Sequence, residues 1–128
     1  MNLSEKQKTQ WIDTLRELGY MSEEDNLVEH TKGDLWEMVF SQVSGNFLFT
    51  DKNFVFVGGL MGSTNFCIAY DKITGIKKCN VGGTIPLIPT GIKITYTNEK
   101  GKPAKKVCSV LKRNNWIEFL SKKCNVSM

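Results

Sequence analysis

Residues able to do chemistry are few in this chain of 128, and their spacing argues against most of it. His30 is the only histidine. It sits in the polar run Glu29-His30-Thr31-Lys32, which reads as exposed surface rather than as part of a Ser-His-Asp set. The four cysteines, Cys67, Cys79, Cys108 and Cys124, are far apart and form no CxxC pair. That spacing does not gather thiolates around zinc. Cys67 and Cys108 lie in apolar, strand-like stretches, where burial raises a thiol pKa and leaves the group inert. Gly58-Gly59-Leu60-Met61-Gly62-Ser63 has the glycines of a phosphate cradle, but no lysine follows and no helix opens there. The expectation is a protein that is not an enzyme, with no metal and no cofactor. Trp11, Trp36 and Trp116 read as packing anchors.

What remains is binding, and charge is its clearest sign. The net charge is +4. Up to Glu37 nine acids face four bases, a balance of −5; from Met38 onward four acids face thirteen bases, a balance of +9. An acidic N-terminal part thus precedes a basic body that can serve an anionic partner. Two groups of residues are candidate ligand or lipid contacts. Leu60 and Met61 at a loop tip, beside Lys100 and Lys102 of a hairpin expected at the same end, can make a weak contact with an anionic membrane. Lys77, Lys78, Lys105 and Lys106 can form a patch on paired strands. Nucleic acid would want exposed aromatics among those lysines, and the aromatics alternate toward the core instead. A protein or peptide partner is therefore the first expectation and a weak anionic membrane surface the second.

The elements that must position these residues follow from periodicity. Ser4 and Gln7 make a capping box, Trp11, Ile12, Leu15 and Leu18 recur at helical spacing, and Gly19 stops the helix. The apolar stripe of that helix must be buried, against the rest of the chain or against a second copy in a homo-oligomer. Ser22 to Asp25 reads as the start of a second short helix. From Leu35 the period changes to two: Trp36, Met38 and Phe40 alternate with Glu37, Val39 and Ser41. Ser44-Gly45-Asn46 reads as a turn, Thr50 to Asn53 as a hairpin, Asn80 to Thr90 as a long connection, and Asn98 to Pro103 as another hairpin tip. A final helix over 115–124 begins at Asn115 with Glu118, and Trp116 and Leu120 face inward. The first ten residues are polar and no apolar run reaches membrane-spanning length, so the expected location is cytoplasmic, at most peripheral to a membrane.

Seven short strands closed by one helix resemble the pleckstrin-homology-like fold. The segment Gly45-Asn46-Phe47-Leu48-Phe49-Thr50-Asp51-Lys52-Asn53-Phe54-Val55-Phe56 resembles the signature hairpin of the GRAM family, and Lys112-Arg113-Asn114-Asn115-Trp116 its entry into the closing helix. The likeness covers roughly residues 35 to 124. It implies a mainly β domain: a seven-stranded bent sheet or partly open barrel capped by a C-terminal helix, with an N-terminal helical arm. Residues 1–30 would be the arm and 31–128 the β-domain. The resemblance further implies binding of phosphoinositide headgroups, membranes or peptides. Relatives that hold inositides carry bases around the first hairpin loop; the corresponding stretch here, Val43-Ser44-Gly45-Asn46, has none, and several phosphates need several donors. Protein interaction or scaffolding is thus the first functional expectation, and a peripheral anionic-lipid module the alternative.

Overall fold

A computed structural model describes residues 1–38 and 41–126. Helix α1 spans Glu5–Glu17. Its capping box forms as expected: Gln7 N–H donates to Ser4 Oγ at 3.1 Å, and Ser4 N–H donates to Gln7 Oε1 at 3.0 Å. Gly19, at φ 78°, takes the left-handed turn that ends the helix. The second short helix does not form. Ser22 to Asp25 is a turn, closed by Asp25 N–H to the Ser22 carbonyl and by Ser22 N–H to Asp25 Oδ2. The aspartate accepts from the backbone three residues back, the contact a capping acid makes, but the chain enters β1 at Leu27 instead of a helix.

Seven antiparallel strands follow: β1 Leu27–Met38, β2 Ser41–Thr50, β3 Asn53–Gly58, β4 Thr64–Ala69, β5 Ile73–Val81, β6 Ile88–Thr97 and β7 Pro103–Val110. Helix α2, Arg113–Cys124, ends the chain's described structure. The strands lie in the order β4-β3-β2-β1-β7-β6-β5 in one sheet, so β4 and β5 are its edges. The mainly β architecture with a closing helix and an N-terminal helix is the expected one.

Several boundaries differ. The first strand begins at Leu27, eight residues before the expected change of period. Ser44-Gly45-Asn46 is not a turn; it lies within β2. Gly45 is there for contact: it pairs with Gly33 on one side and Gly58 on the other, and a Cβ on it would stand 2.6 Å from Gly58 Cα. Glycine is the residue that lets three strands approach so closely. β1 and β2 instead meet where Met38 pairs with Ser41. The part of the expected alternation that falls on Val39 and Phe40 lies outside the described residues. β6 starts at Ile88, shortening the expected long connection. Helix α2 begins at Arg113, with Lys112 as its left-handed N-cap and no side-chain cap, so Asn115 and Glu118 form no capping box. Arg113 supplies the anchor, donating from Nη1 to the carbonyls of Cys79 at 3.0 Å and Gly91 at 3.3 Å.

Two apolar clusters result from strict alternation. Phe47, Phe49, Phe54, Phe56, Phe66 and Ile68 point to the inner face, where α2 closes the core with Ile117 and Leu120. Trp116 is half-buried rather than sunk in the core, with its ring stacked on Phe49 at 5.0 Å between centroids. Leu48, Val55 and Val57 point outward and are covered by α1 through Leu15, with Met21 and Leu27 beside them. Trp11, Ile12 and Leu15 of the expected stripe therefore dock on their own chain, over β2, β3 and β4, whereas Leu18, the C-cap beyond the last helical residue, stays exposed. Thr50 Oγ1 accepts from Lys52 N–H and Asn53 N–H and so builds the expected β2–β3 hairpin.

Candidate binding surface

The β-strand period decides which lysines share a face. Directly paired residues in antiparallel strands point the same way. Trp36 pairs with Val107, Val107 with Lys93, and Lys93 with Lys77, so these four form one row across β1, β7, β6 and β5. Lys105, two residues before Val107 and paired with Thr95, joins the same face. Leu35, Ile92, Ile94 and Cys108, the alternate residues, are in the core. Lys77, Lys93, Lys105 and Trp36 are therefore on the outer face of the half-sheet that α1 leaves uncovered.

Lys78 and Lys106 belong elsewhere. They pair with Ile92 and Ile94, on the inner side. Lys78 borders a shallow groove against α2, with Asn114, Ile117 and Ser121. Lys106 reaches the open seam of the sheet, where its Nζ sits 5.2 Å from the centre of the Phe66 ring. Lys100 joins it there, in a groove with Ile68, Ala69, Lys72 and Tyr96. Lys102 lies exposed at the β6–β7 tip, where the Asn98 side chain accepts from the backbone N–H groups of Lys100 and Lys102. The sequence-expected patch of four lysines is thus divided: Lys77 and Lys105 share the outer face, Lys78 lies at the α2 groove, and Lys106 lines both the seam groove and a groove on the outer face. Leu60 and Met61 precede the first residue of β4 in a 3₁₀ turn, 84% and 97% exposed, and Met61 holds φ 54°. Neither lines the seam groove that holds Lys100.

On the uncovered outer face lies a groove of about 490 Å³, between β1, β7, β6 and the β5–β6 connection. Trp36, Lys93, Lys105 and Val107 line its floor, and Gly82, Gly83 and Pro86 its wall. Trp36 is half-buried, and its Nε1–H donates to Ser109 Oγ at 2.9 Å, which orients the indole along the sheet. It belongs to neither core cluster and is not packed against one, unlike Trp11 and Trp116, so the packing anchor expected here is not what it supplies. The inward residue of this stretch is Leu35, and a shift of one residue exchanges the two faces. Met38 lines the groove, and Ile85 and Leu87 flank its wall residue Pro86 in sequence; all three are large exposed apolar residues. Sequence reading passed over Lys93, although its place between Ile92 and Ile94 marks it as outward.

The remaining chemistry-bearing groups are structurally employed. His30 is half-buried, not exposed: its Nε2 is 2.8 Å from Asn46 Oδ1, and its ring lies 6.1 Å from Trp11. All four cysteines are free. Burial pushes Cys67 and Cys124 up to about 11 and raises Cys108 further. Cys79, on the groove, is raised by burial, with Lys93 and Arg113 pulling it back. These shifts keep the thiols protonated and poor as nucleophiles. No group of three or more metal-ligating side chains occurs among the described residues. No helix among them is long and apolar enough to cross a membrane.

No family model matches the chain, and no curated protein matches it. Solved structures do. The C-terminal domain of an unknown protein from Leishmania infantum superposes with a TM-score of 0.68 at 15% identity, over 92% of this chain and 97% of that one. The hSac2 domain of human phosphoinositide phosphatase Sac2 gives 0.65 at 8% identity, over 98% and 85%. The Vps36 N-terminal PH domain gives 0.59 at 8% identity, over 82% and 83%. The fold is pleckstrin-homology-like.

Proposed function

We propose that this chain is a non-catalytic binding module whose ligand is another protein. One observation carries the reading: a half-buried tryptophan shares an open sheet face with Lys77, Lys93 and Lys105 and lines a groove with exposed Met38. A desolvatable aromatic centre with a polar, charged rim is how protein interfaces are built. The thiols are protonated and the lone histidine is engaged, which favours binding over catalysis. The likeness of the β2–β3 hairpin to the GRAM signature supports a place in that family, and the Gly45–Gly58 approach gives its leading glycine a physical role.

A photocrosslinking side chain at Thr95, which points out between Lys93 and Lys105, tests this. In extracts of the source cells it should yield a discrete protein adduct that disappears when Trp36→Ala is added. An adduct pattern unchanged by Trp36→Ala, or none at all, would refute the proposal.

A second reading has its own observation. Leu60 and Met61 are almost wholly exposed, and a non-glycine residue at positive φ is held at some cost. Two apolar residues at a loop tip on a basic domain suit weak insertion into an anionic membrane surface, with Lys100 and Lys102 as candidate headgroup contacts. A partner protein on the Trp36 face and a transient membrane contact at the loop are compatible.

A further inference from the structure

We infer that the groove at Trp36 seats an acidic segment of the partner protein, with one bulky apolar side chain laid on the indole. This rests on the protein-binding reading and adds the chemistry of what is bound.

Charge complementarity sets the sign. Lys93 and Lys105 line the groove and Lys77 continues their row, and none of the three has a carboxylate within ion-pair distance among the described residues. Glu37 is the one acid on the rim, and it makes no ion pair either. Uncompensated ammonium groups around a partly desolvated floor favour carboxylates on the incoming chain and penalise bases. The indole sets the rest. Its only donor is already used on Ser109, so the ring can offer its apolar face and nothing more. The wall puts no side chain over the ring at that point: a Cβ on Gly82 would stand 2.9 Å from Ile88 Cδ1 and 4.0 Å from the Trp36 ring, and glycine at φ 94° supplies none. A volume of about 490 Å³ admits a few side chains, not a domain.

The chain itself shows what such a face accepts. The outer face of the other half-sheet is covered by α1, a helix that brings Leu15 and the half-buried Trp11 and Ile12 to the sheet and carries Glu5, Asp13 and Glu17 balanced by Lys6, Lys8 and Arg16. One half-sheet is thus closed in cis by an amphipathic segment of balanced charge laid on an apolar face; the other, which holds Lys77, Lys93 and Lys105, has no such cover.

The test uses the full chain labelled with 5-fluorotryptophan. Its three tryptophan resonances are assigned with Trp11→Phe, Trp36→Phe and Trp116→Phe. The probes are a short synthetic peptide of glutamates flanking leucine and phenylalanine, the same peptide with lysine for glutamate, and an oligothymidylate of matched charge. The acidic peptide should shift the Trp36 signal and leave the Trp11 and Trp116 signals in place. Lys93→Glu with Lys105→Glu should weaken that response by about tenfold or more, consistent with loss of two close charge pairs. The unchanged Trp11 and Trp116 signals of the double variant show that it folds. A Trp36 signal that ignores the acidic peptide, responds as well to the lysine peptide, or responds as well to the oligonucleotide overturns the inference. A Trp36-dependent crosslink from position 95 alongside a silent acidic peptide would leave the protein-binding reading in place and refute the acidic partner.

Discussion

Replacing Leu15 by Ala tests how firmly α1 belongs to the domain. Leu15 is wholly buried, against Leu48, Val55 and Val57 on the outer face of the sheet. Truncating a leucine in such a site removes its transfer free energy and leaves a cavity, a loss of about 3 kcal/mol within a range of roughly 2–5. For a domain of this size that corresponds to a fall in Tm of about 10 °C. The loss has a ceiling, because α1 can undock while the barrel stays folded; beyond the docking free energy no further stability can be lost. Cys67 reports which of the two occurs. It is packed against the α1 cluster, and burial raises its pKa to about 11. Undocking would expose it, lower that pKa toward the ordinary thiol value and speed alkylation at pH 8. Differential scanning calorimetry gives the first quantity and mass-resolved alkylation of Cys67 the second. A Tm within about 2 °C of the unmodified chain, with Cys67 reacting no faster, would show that α1 contributes nothing at Leu15.

Other expected outcomes follow from single contacts. Gly45→Ala places a Cβ 2.6 Å from the backbone of β3, at Gly58 Cα and the Val57 carbonyl oxygen, and should cost about 2 kcal/mol or more by urea denaturation. Trp116→Ala should cost about 2 kcal/mol, less than for a fully buried ring, while Leu120→Ala should reach about 3. Asp25 is held below the usual carboxylate range, first by the Ser22 backbone N–H and further by Lys52. Its folded pKa lies below its unfolded one, so its contribution is present above the ordinary carboxylate pKa of about 4 and is lost as pH falls through the folded value. In Asp25→Asn the loss of Tm on acidification should be smaller than in the unmodified chain; an identical acid profile would remove Asp25 from the explanation.

Much of the scaffold is legible in residue order because local rules agree with the fold. The Ser4–Gln7 box, the Gly19 stop, the Thr50 hairpin and the Phe54/Phe56 alternation each have a cause within a few residues. The surface at Trp36 is not legible in the same way. Trp36 and Leu35 are adjacent and both apolar, and only pairing with Cys108 and Val107 on a distant strand decides which turns inward. Gly45 reads as a turn glycine from its neighbours Ser44 and Asn46, whereas its role is set by Gly33 and Gly58 across two strand pairs. The lysines show the same limit. Alternation alone parts Lys77 from Lys78 and Lys105 from Lys106, yet which member joins Trp36 depends on the β5–β6–β7 register. The Ser22–Asp25 segment does not continue as a helix although Asp25 accepts from the Ser22 N–H as a capping acid does, because the chain enters β1 at Leu27, two residues further on.

Co-sedimentation of the full chain with vesicles decides most directly between a protein ligand and a lipid ligand. Neutral vesicles, vesicles doped with phosphatidylserine and vesicles doped with one phosphoinositide at matched charge are compared at low and high salt. With a protein-binding face at Trp36 and scattered lysines elsewhere, binding should be weak and equal for the two anionic vesicles. It should vanish near 1 M salt, where screening reaches about 3 Å, and be unchanged by Trp36→Ala. Tight binding to the phosphoinositide vesicles alone, persisting in high salt, would contradict it.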